Sequence, residues 1–142
     1  MRGHFEPRGV FIDTGAFGAF SIEGDANFHA ASNIGDAIVA ANLITVTTNF
    51  IVAETHALVL SRNGRAAALA ALDHIDRSTT HIERITAADE LHARSILEQY
   101  DDKTYSYTDA TSFAVMERLH VTDVFTFDRH FAQYGFSPLK PS

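Results

Sequence analysis

Short apolar runs alternate along this chain with longer stretches in which apolar residues recur every three or four positions. Val10-Phe11-Ile12 stops at Asp13-Thr14-Gly15, and Ala16 to Phe20 suits a turn of helix, so a strand feeds a helix. Between Asp25 and about Leu43, Phe28, Ala31, Ile34, Ile38 and Ala41 recur at helical spacing, and Ile44-Thr45-Val46 reads as a second strand. Thr48 can cap a third helix, Asn49 to about Asn63; Gly64 interrupts it, and Arg65 to Asp76 resumes as an alanine-rich helix. His81 to Ile85 alternates as a third strand. Thr86, with Asp89 three residues on, opens a helix through Tyr100 as an acidic variant of the capping box. A loop, Asp101 to Tyr107, leads to a helix from Thr108 to about His120. Val124 to Phe127 is the last strand, Asp128 starts a final helical turn ending near Gly135, and Pro138 and Pro141 mark a loose tail.

Strands separated by helical segments of about ten or more residues need crossover connections. The pattern therefore predicts a three-layer α/β/α sandwich on a mainly parallel central sheet. With 142 residues and 46% apolar composition, the chain suffices for one core, so residues 1–142 are expected to form a single domain with loose tails at 1–8 and 137–142. No repeat or linker interrupts it.

The absence of cysteine excludes disulfides, thiolate zinc sites and a cysteine nucleophile. The polar start, Met1 to Arg8, lacks the apolar run of a signal peptide, and no stretch approaches the roughly 18 to 20 apolar residues of a membrane span. A soluble, cytoplasmic protein is the expectation. The net charge of −7, from 18 acids and 11 bases, argues against a broad electrostatic grip on nucleic acid. Setting four clustered acids aside leaves −3, still not basic, so any RNA contact must lean on a metal and on local arginines.

The acids carry the candidate chemistry. Asp13, Asp109 and Asp128 each stand at or near a helix start, where a carboxylate can simply cap free N–H groups. Glu54 has Phe50, Ile51, Ala57 and Leu58 as its helical neighbours, an apolar face on which a carboxylate needs a partner or a cation. An ion pair with Arg62 or Arg65, or a side chain bent to solvent, would also serve. In an open parallel sheet the C-terminal ends of the strands share one edge, so Asp13, Asp128 and Glu54 should converge there, whereas topology alone does not place Asp109. Clustered carboxylates repel one another unless a divalent cation lies among them. Mg²⁺ takes oxygen ligands, and two such ions about 3.5 to 4 Å apart can drive phosphodiester hydrolysis.

The segments FIDTGAF, TTNFIVAETHAL, SYTDATSFAVMERL and VFTFDRHFAQYGF resemble, in order and spacing, the four acidic motifs of the PIN domain, especially the toxin ribonucleases of VapBC toxin–antitoxin pairs. The resemblance spans about Val10 to Phe136. It implies a metal-dependent endoribonuclease, with Asp13 and Asp109 as principal Mg²⁺ or Mn²⁺ ligands and Glu54 and Asp128 completing the quartet. Thr14, Asn49 and Thr108 match polar positions that flank the family's site. Gly15 departs from the pattern, since many members carry serine there. The same resemblance implies an RNA substrate, a small antitoxin protein that blocks the site, and a homodimer.

Other readings compete. Asp13-Thr14-Gly15-Ala16 also matches the catalytic loop of retroviral-type aspartic proteases, whose fold is almost wholly β. A catalytically idle PIN-like module that only binds protein is a second alternative. His130, in Asp128-Arg129-His130, reads either as acid–base machinery or as a surface or capping residue; the remaining histidines show no zinc-ligand spacing. Arg62, Arg65 and Arg129 suit phosphate contacts or a solvated face equally. The phenylalanines, among them Phe113, Phe125, Phe127, Phe131 and Phe136, are assigned to the core, and Tyr105 and Tyr107, placed in a loop, are the expected base contacts.

Overall fold

A computed structural model describes residues 8–142, so the expected N-terminal tail lies, but for Arg8, outside the described residues. The elements run β1 (Gly9–Ile12), α1 (Thr14–Ser21), α2 (Phe28–Ala40), β2 (Ile44–Thr48), α3 (Asn49–Arg77), β3 (His81–Glu83), α4 (Ala87–Gln99), α5 (Tyr107–Leu119), β4 (Asp123–Phe125), α6 (His130–Tyr134) and β5 (Ser137–Pro138). The strands form one sheet in the order β3-β2-β1-β4-β5, and every neighbouring pair is parallel. With no hairpin among the described residues, the strands are connected by helices, which cover both faces.

Alternation along β1 sends its side chains into two separate layers. Phe11 packs against Phe131 of α6, which meets Phe113 of α5 edge-on at 5.1 Å between centroids. On the opposite face Ile12 lines an apolar pocket with Ala16 and Phe17 of α1, Ile38 of α2 and Ile75 of α3. Val10 and Phe11 are wholly buried, as a strand covered on both sides requires. The architecture is the expected α/β/α sandwich.

Local chemistry sets the helix boundaries. The Thr48 hydroxyl accepts from the Ile51 N–H and starts α3, and Gly64, at φ 86° and ψ −177°, breaks that helix where the sequence predicts. Gly18 serves close approach: a Cβ there would stand 3.2 Å from Leu58 Cδ2, so its absence lets α1 settle against α3. One turn earlier on each helix are Thr14 and Glu54, and this packing brings them together.

Several expectations are corrected. Ser137–Pro138, read as tail, forms a parallel edge strand with β4, and the Leu139 N–H continues the ladder to the Val124 carbonyl at 2.8 Å. At an edge, proline's missing N–H costs no ladder bond. β4 ends at Phe125, opposite Ile12, where its partner β1 also ends, and the Thr126 hydroxyl that follows turns to Asp13. α5 begins at Tyr107, capped by Ser106, rather than at Thr108. Tyr105, expected as an exposed base contact, is buried, edge-on to Phe113 at 5.0 Å. Asp13-Thr14-Gly15 opens a helix in a parallel α/β sheet, which removes the aspartic-protease reading. Among the described residues no helix is long and apolar enough to cross a membrane.

Candidate functional site

The chain leaves β1 toward β2 on one side, while β4 lies on the other, so the order of connection reverses beside β1. In open α/β sheets the crevice at the C-terminal ends of the strands beside such a reversal is the natural ligand site. Asp13 directly follows β1, and Asp128 follows β4 by three residues. Glu54 stands in the second turn of α3, the helix that leaves β2 at the same edge. Asp109 occupies the third position of α5, where a capping box holds it. All four carboxylates, together with Thr14, Ser106 and His130, line one open cleft of about 420 Å³.

Asp13 is the most confined of them. It sits at the N-cap of α1, yet its side chain makes no cap to the second or third helical N–H, so capping is not its task. Instead its Oδ2 accepts from the Thr126 hydroxyl at 2.8 Å, and the same Thr126 oxygen accepts from the Asp128 N–H at 2.9 Å. Thr126 thus ties two acids from opposite ends of the chain. Burial pushes the Asp13 carboxyl up to about 7; Thr126 and the Thr14 N–H pull it down, and the charges of Asp109 and Asp128 push it further up.

Asp109 does cap its helix. Its Oδ2 accepts from the Ser106 N–H at 3.0 Å while its own N–H donates to the Ser106 hydroxyl at 2.9 Å. The capping reading and the cleft reading of this residue are therefore both realised, since the same oxygen also lies 3.0 Å from His130 Nδ1. Asp128 Oδ1 accepts from the His130 N–H at 2.9 Å and stands 3.2 Å from His130 Nδ1.

Glu54 departs from its expected environment. Only Ile51 of its four helical neighbours is buried, and Glu54 itself is exposed, at the border of the apolar stripe and the rim of the cleft. The burial cost anticipated from sequence does not arise. Its Oε1 accepts from the Thr14 hydroxyl, and among the described residues it forms no ion pair with Arg62, Arg65 or any other base. Of the three supporting positions, Thr14 lines the cleft, whereas Asn49 and Thr108 do not. The Asn49 side-chain oxygen accepts from the Ile85 N–H at 2.9 Å and anchors the segment after β3, and the Thr108 carbonyl accepts from the Thr111 hydroxyl.

Residues outside the predicted quartet complete the site, one of them, His130, left undecided by the sequence. Thr126 and Ser106 bind the acids directly, and His130, with a side chain only 18% exposed, stands between Asp109 and Asp128. One donor atom from each of Asp109, Asp128 and His130 lie within 4.8 Å of one another, a spacing able to hold a cation. The signal for Ser106 was present as Ser-x-x-Asp; that for His130 required knowing that α5 and α6 meet.

The profile of the PIN domain matches residues 10–137, nine-tenths of the chain. The chain belongs to the PIN-domain family. This PIN domain is 32% identical over 132 residues to the 23S rRNA-specific endonuclease VapC20 of Mycobacterium tuberculosis, covering 93% of this chain and 98% of that protein; the sequences from strains CDC 1551 and H37Rv give the same figures. The crystal structure of Mycobacterium tuberculosis VapC20, described as a Sarcin-Ricin loop cleaving toxin, superposes with a TM-score of 0.84 over 93% of this PIN domain and 99% of that chain. FitAcB from Neisseria gonorrhoeae matches with a TM-score of 0.63 at 14% identity, covering 93% and 97%, and shares the fold. Sterics do not explain the departure at Gly15, since a Cβ there would meet only Phe127 Cβ, at 4.0 Å.

Proposed function

We propose that this PIN domain is a divalent-metal-dependent endoribonuclease and acts as the toxin of a type II toxin–antitoxin pair. The observation that carries the reading is the convergence of Asp13, Glu54, Asp109 and Asp128 on one cleft from four separate segments. Burial, with a smaller push from the charges of Asp109 and Asp128, lifts the Asp13 carboxyl to about 7, and a divalent cation in the cleft would favour its ionised form. Asp13 and Asp109 would be the principal ligands, with Asp128 and Glu54 beside them; Mg²⁺ and Mn²⁺ both suit the oxygen set. When bound, such an ion would supply Lewis acidity, lowering the pKa of water and offsetting phosphate charge.

The chain's own groups do the rest. Thr126 fixes the Asp13 carboxylate and the backbone of Asp128, so these two acids keep their separation when the cleft fills. Thr14 steers Glu54 toward the cleft mouth, where a solvent-accessible carboxylate can position water or accept its proton. The cleft is open along one side, which suits a looped or single-stranded RNA segment better than a rigid duplex. Arg129, exposed and set in sequence between the cleft residues Asp128 and His130, is a candidate for a phosphate contact. The toxin reading brings with it a small antitoxin that covers the cleft, and a homodimer.

Incubating the purified protein with 23S rRNA, in Mg²⁺ or Mn²⁺ buffer and in EDTA, tests the proposal. Endonucleolytic products are expected with metal and none with EDTA, nor from the Asp13→Asn variant. Products that persist at full rate in EDTA would refute it.

A further inference from the structure

His130 is the nitrogen-bearing side chain of the cleft, and its ring is held on several sides. Its backbone N–H donates to Asp128 Oδ1 at 2.9 Å, Tyr105 meets the ring edge-on at 5.4 Å, and Nε2 stands 3.4 Å from the Thr104 hydroxyl. This places Nδ1 3.0 Å from Asp109 Oδ2 and 3.2 Å from Asp128 Oδ1. Donors in adjacent positions on an octahedral ion with bonds of about 2.1 Å lie about 3 Å apart. The two separations measured from Nδ1 match that figure, and all three atoms lie within 4.8 Å of one another. A hydroxyl within reach of Nε2 also supplies an outer-sphere partner of the kind a metal-binding imidazole uses to fix its ring.

We propose that His130 Nδ1 is a ligand of the metal position formed by Asp109 and Asp128, making it a mixed nitrogen–oxygen site that prefers a first-row transition ion to Mg²⁺. The inference rests on the metal-dependent reading above and goes beyond it in donor set and in selectivity. Imidazole binds Mg²⁺ poorly and gains affinity along the series from Mn²⁺ to Co²⁺, whereas an all-carboxylate nest favours hard ions. Thr104 acts as the outer-sphere partner, and Tyr105, buried against the ring, limits its rotation.

The test loads the full chain with Mn²⁺ alone and reads nitrogen coupling by pulsed electron paramagnetic resonance. Modulation from ¹⁴N is expected in the wild type, replaced by the ¹⁵N pattern when the protein is grown with ¹⁵N-labelled histidine. His130→Gln should abolish the coupling while Mn²⁺ still binds, and calorimetry should show its Co²⁺-over-Mg²⁺ preference reduced about tenfold or more. Histidine labelling of the wild type needs no substitution, so a poorly folding variant does not decide the outcome. Bound Mn²⁺ without nitrogen coupling, or coupling retained in His130→Gln, would overturn the assignment and leave the metal-dependent nuclease standing. Failure of the wild type to bind Mn²⁺ at millimolar concentration would overturn both.

Discussion

α4 and α5 open with the same sequence device, a hydroxyl N-cap and an aspartate three residues on, Thr86 with Asp89 and Ser106 with Asp109. In both, the hydroxyl accepts from the aspartate N–H, and the carboxylate accepts from the cap N–H at 2.9 and 3.0 Å. The surroundings then part company. Asp89 receives two bonds from Arg118, each 2.9 Å, which hold its carboxyl below the usual range, and Arg118 also reaches Glu83. No arginine meets Asp109 among the described residues; it faces His130, and Asp13 lies close enough to feel its charge. One carboxylate is neutralised in place and the other leaves its charge turned into a cleft. A capping box identifies where an aspartate sits, and only its tertiary partners say what it is for.

The largest expected difference between the two is catalytic. Asp109→Asn should lower the rate of RNA cleavage more than about 100-fold, because a neutral amide is a poor ligand for a hard cation. Asp89→Asn, scored per folded molecule, should leave the rate within about twofold. Single-turnover cleavage at saturating enzyme measures both, and equal losses would show that the two boxes are not functionally distinct.

Stability against pH sharpens the contrast, since the two environments act with opposite sign. Asp13 binds its proton more tightly in the folded chain, so its contribution to stability is complete below the ordinary value of 3.8 and is lost as pH rises through about 7. Asp89 releases its proton more readily when folded; its contribution is present above 3.8 and is lost as pH falls below that. In EDTA, Asp13→Asn should therefore raise Tm at pH 8 by roughly 5 °C or more, with no gain at pH 4. Asp89→Asn should lower stability at pH 8 by about 1–3 kcal/mol and by less at pH 3. A fall in Tm for Asp13→Asn at pH 8 would mean that its bonds to Thr126 and Thr14 outweigh burial.

The same distinction explains what could be read in advance. Regular patterns of many residues were legible: the apolar run before Asp13, the helical spacing through Ile34 and Ile38, the Thr48 cap and the Gly64 break all rest on neighbours in sequence. Asp13, Asp128 and Glu54 could be brought to one edge because a parallel sheet orders its strand ends. Features that depend on contacts across the chain were not legible. β5 is two residues long and carries a proline, too little to show a period. Tyr105 lies in a polar loop, and only its packing on Phe113 and Tyr134 shows that it belongs to the core. Glu54 was misjudged by counting helical neighbours without knowing which of them α1 covers. His130 was undecided because nothing local to Asp128-Arg129-His130 reports that Asp109 stands opposite.

The smallest expected effect tests the boxes themselves. Thr86→Ala and Ser106→Ala each delete one cap acceptor, and both should cost about 0.5–2 kcal/mol in chemical denaturation. If the boxes differed only in position, that would end the comparison. In α4, however, Arg118 still grips Asp89 after the hydroxyl is gone, whereas in α5 the Asp109 side chain keeps, among the described residues, only the Ser106 N–H and His130 to hold it. Ser106→Ala should therefore loosen a cleft carboxylate and weaken Mn²⁺ binding by up to about tenfold, the range of a lost outer-sphere partner, while Thr86→Ala leaves Mn²⁺ binding unchanged. Calorimetric titration of the two variants at matched folded concentration decides it. Equal Mn²⁺ affinities would show that the hydroxyl of Ser106 serves the helix alone, and that Asp109 is positioned by its backbone rather than by its cap.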